Sequence, residues 1–172
     1  MSGIGSVVKV VGLVSVMAAI MVGAFSAYAT PPANISFVPV ARATLQEFNV
    51  NRNDKLLDWE IELEAPQAID VATQIVRFEP GGSSGWHTHP GPVFFVVRTG
   101  TLTVYEGDDP ICRPLVFPAG TGAVEAGTSS HMHMIRNETN AVAEAVVTYM
   151  VPVGTPQAQL RADRPNPGNC SF

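Results

Sequence analysis

An all-β fold, a sandwich or barrel of short strands, is what this sequence predicts, and three observations predict it. Apolar and polar residues alternate with period two, most clearly over residues 58–64, where Trp59, Ile61 and Leu63 interleave with Glu60, Glu62 and Glu64. Such runs recur at short, regular spacing from Ser36 onward, separated by Gly and Pro punctuation. The composition agrees, because 15 Gly and 14 Pro in 172 residues suit a loop-rich β domain better than a helical bundle.

The elements follow in chain order. Residues 58–64 read as a strand whose glutamates form a solvated face rather than a site. Residues 71–78 form the next strand, stopped by Glu79-Pro80-Gly81-Gly82. Further strands are expected over 92–98, 101–106, 114–117, 121–126, 131–137 and 142–151, broken by turns such as Arg98-Thr99-Gly100 and Glu106-Gly107-Asp108-Asp109-Pro110. Only residues 44–49 and 156–161 look helical, and both runs are short. The length fits one domain with one sizeable core, and no repeat or interdomain linker is visible. A net charge of −5 without a clustered basic face excludes a nucleic-acid phosphate tracker.

The first thirty residues stand apart. Lys9 precedes an almost uninterrupted apolar stretch of 16 residues, 10–25, and Ala27-Tyr28-Ala29 before Thr30 is the small-x-small pattern of a signal peptidase site. The stretch is short for a membrane span, which needs about 20 residues. The reading is therefore a signal peptide over 1–29 and an exported mature domain over 30–172, with no stable membrane span after cleavage.

Export changes what the cysteines mean. Cys112 and Cys170 are the only pair, and an oxidising compartment favours their joining. Cys170 lies in Pro165-Asn166-Pro167-Gly168-Asn169-Cys170, too Pro-rich for helix or inner strand, so the bond would tether the tail 155–172 to the domain. In the chain-entropy model a loop of this size is worth about 4 kcal/mol.

The chemistry is concentrated in the histidines. All four fall in two His-x-His pairs, His87-Thr88-His89 and His131-Met132-His133. Residues i and i+2 of a strand share a face, so each pair presents two imidazoles side by side. Two pairs that exhaust the histidine content point to a site for one divalent metal ion, and imidazole suits Fe, Mn, Zn, Ni or Cu.

Gly81-x5-His87-x-His89, with Gly100 as closing glycine, resembles the first motif of the cupin family, and Pro118-Ala119-Gly120 with His133-x3-Asn137 resembles its second. The resemblance covers roughly residues 68–151. It implies a double-stranded β-helix, a jelly-roll-like barrel with a metal held inside by His87, His89 and His133. The sequence departs from the family at Val93, where the motif glutamate falls, and at Thr128 and Ser130, where Pro and Gly usually stand. Val93 cannot ligate, so the expected ion is held by neutral imidazoles and keeps its +2 charge, which favours an anionic small-molecule ligand. His131, on the face of His133, is either the fourth ligand or a residue of the rim. Glu125, Gln74 and Tyr105 are weaker candidates.

The implied function is an exported metal-binding cupin, a dioxygenase-like oxidoreductase acting on a small organic acid; the alternative is a metal- or ligand-binding module without turnover. A homodimer is compatible with this reading. Trp86 is expected to pack at the barrel mouth rather than bind substrate, and Phe94, Phe95 and Phe117 to pack the sheets. Met132 and Met134 alternate with the histidines and so face away from the metal. The glycosylation sequons at Asn34, Asn137 and Asn169 are read as chance matches.

Overall fold

The computed structural model describes residues 29–54, 58–127 and 131–172. Residues 1–28 of the expected signal peptide, and Thr128 and Ser130, lie outside the described residues. Strands β1 (Ala33–Leu45), β2 (Phe48–Asp54), β3 (Trp59–Ala65) and β4 (Ile69–Ser83) come first. They are followed by β5 (His87–Thr88), β6 (Val93–Thr99), β7 (Thr101–Glu106), β8 (Leu115–Pro118) and β9 (Gly122–Glu125). Strands β10 (His133–Arg136), β11 (Ala143–Pro152) and β12 (Ala162–Asp163) complete the set. All pairings are antiparallel, and ten strands form one nearly closed barrel along the path β12-β5-β10-β4-β11-β6-β9, with β1 on β4 and β7 between β10 and β8. This is the geometry of a double-stranded β-helix.

Alternation builds the core. Ala72, Val76 and Phe78 of β4, Val93, Phe95 and Val97 of β6, and Ala143, Ala145, Val147, Tyr149 and Val151 of β11 point inward at every second position. The turn between β6 and β7 needs Gly100, whose φ is +74°; a Cβ there would lie 2.8 Å from the Cα of Ala143. A second, smaller cluster gathers Trp86, Tyr105, Met134 and Cys170, with Cys112 and Met132 against it. Trp86 and the two methionines therefore pack away from the barrel interior, as their alternation with the histidines predicts. Cys112 and Cys170 are bonded, with Cα atoms 5.2 Å apart, and clip the C-terminal tail onto this cluster.

Three expectations are corrected. Residues 44–49 are not helical: β1 runs to Leu45 and β2 starts at Phe48, because pairing with β4 and β3 satisfies a backbone that a six-residue helix would leave half unpaired. Over 156–161 only Gln157–Gln159 is helical, as a single 3₁₀ turn. The strand with alternating glutamates is present as β3, but it pairs only with β2, in a separate two-stranded sheet. Its apolar face is not core: Trp59 is 53% and Ile61 37% exposed. Asn137 is 1% exposed and its amide donates to the carbonyls of Phe78, Glu79 and Ala141, so this sequon residue serves the fold.

Asp70 joins three segments at one end of the barrel. Its carboxylate accepts from Arg42 at 2.6 Å and Thr44 at 2.6 Å on β1, and from the Gly154 amide at 2.9 Å beyond β11. The Thr44 and Arg42 hydrogen bonds, with that of Gly154, hold its pKa down to about 2. A depressed carboxyl contributes stability above its unfolded pKa, near 3.9, and that contribution is lost as pH falls towards 2. Asp70→Asn is expected to lower the thermal midpoint at pH 7 and to flatten its decline between about pH 4 and 2, read by circular dichroism. Cys112→Ser is expected to open residues 155–172 to proteolysis and lower the midpoint, and peptide mapping without reduction should find Cys112 linked to Cys170 in the wild type.

Candidate metal centre

Barrel register brings the histidines together. His87 on β5 lies directly opposite His133 on β10, and opposed residues of an antiparallel pair share a face. His89, two residues after His87, joins them. Ring centroids are 4.5 Å apart for His87 and His133, 4.8 Å for His87 and His89, and 5.2 Å for His89 and His133. One nitrogen from each lies within 4.8 Å of the others, and the three residues are at most 5% exposed.

Backbone carbonyls set the tautomers. His87 Nδ1 is 2.9 Å from the Gly85 oxygen and His89 Nδ1 is 2.8 Å from the Leu160 oxygen. A carbonyl only accepts, so both Nδ1 atoms donate and both Nε2 atoms carry bare lone pairs when the rings are neutral. Burial first, then the charges of His133, Arg161 and His89, hold the His87 pKa well below that of free imidazole. His87 is thus unprotonated at neutral pH, the form that ligates.

The fourth group is Glu125. Its Oε2 lies 3.1 Å from His89 Nε2 and 3.2 Å from His133 Nε2, and the residue is 7% exposed. Burial alone would raise this carboxyl; a proton or other positive charge shared with the facing His133 and His89 nitrogens outweighs burial and holds its pKa well below the usual carboxylate range. Val93 on β6 is the residue directly opposite Glu125 on β9. The carboxylate missing from the expected position therefore arrives from the neighbouring strand, on the same face. A carboxylate thus stands beside the imidazoles, where the sequence offered Glu125 only as a weaker candidate. Val93 is itself fully buried in the core.

His131 does not join this group. Its Nε2 is 3.1 Å from Glu106 Oε2, and with His133 these two form a neighbouring cluster, in which Glu106 of β7 sits opposite His133. His131 is 31% exposed at its side chain, so its place is the rim. Gln74 and Tyr105 are also apart from the three histidines. Gln74 donates to the Tyr149 hydroxyl at 2.7 Å, and Tyr105 donates to Glu138 at 2.9 Å from within the smaller cluster. Tyr149, which sequence reasoning missed, lines the cavity with its ring 5.4 Å from His89. Burial pushes its hydroxyl pKa up, so it keeps its proton.

The donor set fits a cation. Glu125 Oε1 and both ring nitrogens of His133 are buried without a hydrogen-bond partner, and Glu125 Oε2 faces the bare Nε2 of His89. Acceptors aimed at acceptors in a dry site need a cation or a proton between them. The space beside them is about 30 Å³, enough for an ion and a water or two. It adjoins an outer pocket of about 420 Å³ through Phe37, Tyr149 and Arg161, which line both.

The structure is an antiparallel β-barrel with a buried imidazole–carboxylate cluster, a candidate metal site. Residues 74–149, a segment that contains His87, His89, Glu125 and His133, match the family model of the cupin domain, Cupin_2. No curated protein matches the chain. Among solved structures it is similar to an oxalate oxidase, at 28% identity over 48% of this chain and 46% of that one, TM-score 0.40. It is similar also to the Cupin_2 domain of an XRE family transcriptional regulator from Enterobacter cloacae, at 15% identity over 69% and 97% of the two chains, TM-score 0.42. A sugar phosphate isomerase of the cupin superfamily from Silicibacter pomeroyi shares 22% identity over 57% and 69%, TM-score 0.43. This chain spans about half the length of the oxalate oxidase.

Glu125→Gln keeps the side chain's shape and removes its charge. Divalent metal affinity is expected to fall about tenfold or more by competition titration. The double variant Val93→Glu, Glu125→Gln should recover part of that loss by moving the carboxylate across one strand. Equal affinity for Glu125→Gln and wild type would mean that Glu125 does not ligate.

Proposed function

We propose that this chain is an exported metal-binding protein whose mature domain, 30–172, holds one divalent ion with His87, His89, His133 and Glu125 and oxidises a small organic acid with O2. The observation that carries the reading is the convergence of bare imidazole nitrogens on a buried carboxylate with an unpartnered oxygen. The disulfide supports a non-reducing compartment. Thr30, the first residue after the proposed cleavage, accepts from the Trp86 amide and donates to the Arg164 carbonyl, so the mature chain would begin fastened to the barrel.

A bound ion of this class supplies Lewis-acid and redox chemistry at the inner cavity. The chain's own groups do the rest. The carbonyls of Gly85 and Leu160 fix which nitrogen of His87 and His89 faces inward. Glu125 cancels one positive charge. Tyr149 keeps a proton and a polar oxygen at the wall shared with the outer pocket. The small inner volume leaves the body of an organic ligand to the outer pocket.

Four protein donors also suit a closed tetrahedral ion, which favours the second reading, a binding module without turnover. One experiment separates them. Untagged mature protein is loaded in turn with Fe, Mn, Zn, Ni and Cu, its metal content measured, and O2 consumption followed with a panel of small organic acids. Stoichiometric Fe or Mn with acid-dependent O2 uptake is the expected result. Tight Zn or Cu with no uptake supports the binding module, and no metal uptake at all removes both readings.

A further inference from the structure

Arg161 is a charged residue that none of this chemistry has used. It follows the 3₁₀ turn of the C-terminal tail, and its side chain is 14% exposed. Its Nη2 donates to the Ser84 carbonyl and to Asp163 Oδ1, each at 2.6 Å. Its Nε is buried and has no hydrogen-bond partner. A buried guanidinium N–H without an acceptor is costly, and native structures seldom leave one unspent unless a ligand takes it. The side chain lines the inner cavity with His87, His89 and Glu125, and it also lines the outer pocket. It therefore stands where the two spaces meet.

The outer pocket says what the rest of the ligand is like. Phe37, Ala158 and Leu160 give it apolar walls, and Gln74 and Gln157 are tied together by a 2.9 Å hydrogen bond, with Gln74 bonded onward to Tyr149. This chain of bonds spends the Gln74 carbonyl and one N–H of each amide, so part of that wall's hydrogen-bonding capacity is already taken. At about 420 Å³ the pocket is far larger than the inner cavity and falls within the size range of small-molecule sites.

We infer that Arg161 is the anion-binding residue of this site, and that the ligand is a monocarboxylic acid with an apolar body, its carboxylate on the Arg161 Nε–H at the inner end and its body in the outer pocket. The inference deepens the proposed function, on which its substrate role rests. The geometry also accounts for the placement of Asp163. That carboxylate is 35% exposed and engages only Nη2 among the contacts formed, so it holds the guanidinium in place from the solvent side while Nε stays available. A ligand bridging from Arg161 towards the inner cavity would meet the ion with its carboxylate end.

The test measures binding, with metal content as a separate readout. Phenylacetate and its neutral counterpart phenylacetamide are titrated calorimetrically into mature wild-type protein, metal-loaded and chelator-treated, and into Arg161→Gln. Phenylacetate is expected to bind both wild-type forms, the amide at least tenfold more weakly. Arg161→Gln should lose about 10- to 100-fold in phenylacetate affinity, the weight of a charge-assisted hydrogen bond, with unchanged metal content. If Arg161→Gln does not fold, Arg161→Lys decides: it keeps the charge but loses the Nε–H, so phenylacetate binding should weaken, and unchanged binding overturns the inference. Phenylacetate bound equally by wild type and Arg161→Gln overturns it, as does equal binding of acid and amide, or no binding of acid to wild type. A protein that takes up no metal but binds phenylacetate through Arg161 supports this inference while removing the proposed function.

Discussion

A carboxylate without water must be given positive charge or hydrogen-bond donors, and the inner half of this barrel is organised around that demand. Glu125 sits between His89 and His133, 7% exposed, with one oxygen unpartnered. Removing such an anion from water costs several kcal/mol or more unless partners compensate. The imidazoles cannot all compensate as donors, because His87 and His89 spend their Nδ1 protons on backbone carbonyls. The cluster is therefore short of positive charge at its centre, which is the electrostatic definition of a cation site.

That shortage is created by parts of the chain that look structural. The C-terminal tail supplies the Leu160 carbonyl that orients His89, the Arg161 guanidinium beside the cavity, and the short β12 pairing with His87 on β5. The Cys112–Cys170 bond and the contacts of Thr30 with Arg164 and Trp86 hold this tail against the barrel. A segment too irregular to be core thus fixes the tautomer of His89. The same bond packs in the smaller cluster with Trp86, Tyr105 and Met134, so the two faces of β10 do different work: His133 points to the site and Met134 to the clamp.

The charge balance bears on what the site can bind. Three neutral imidazoles and one carboxylate would leave a divalent ion with a single net positive charge. Arg161 adds a second positive centre at the junction with the outer pocket. An anion is favoured at that junction more than inside the 30 Å³ space beside the histidines. Barrels of this kind host many chemistries, so these groups and not the fold favour the proposed organic acid.

Much of the molecule was legible from local pattern. Alternation located the strands that became β3, β4 and β6 to β11, because the pleat forces period two wherever one face is buried. The two His-x-His pairs announced a site, and the glycine at position 100 announced a turn that only a residue without a Cβ can make. The cysteine pair was legible from its count, two in the whole sequence. Long-range register was not. Glu125 and Val93 are 32 residues apart in sequence and become neighbours only through the β6–β9 pairing, so the carboxylate could not be assigned to the site from its own surroundings. His131 shares a spacing with His133 but leaves the strand before β10 begins, and spacing carries a residue to a face only inside a strand. Likewise Arg161 lies in a tail with no periodicity to read. Sequence alone determined an all-β fold and the two His-x-His pairs, since both follow from local periodicity; which three of the four histidines meet, the carboxylate beside them, their tautomers and the place of Arg161 were decided by tertiary pairing, which brings together groups that no local pattern connects.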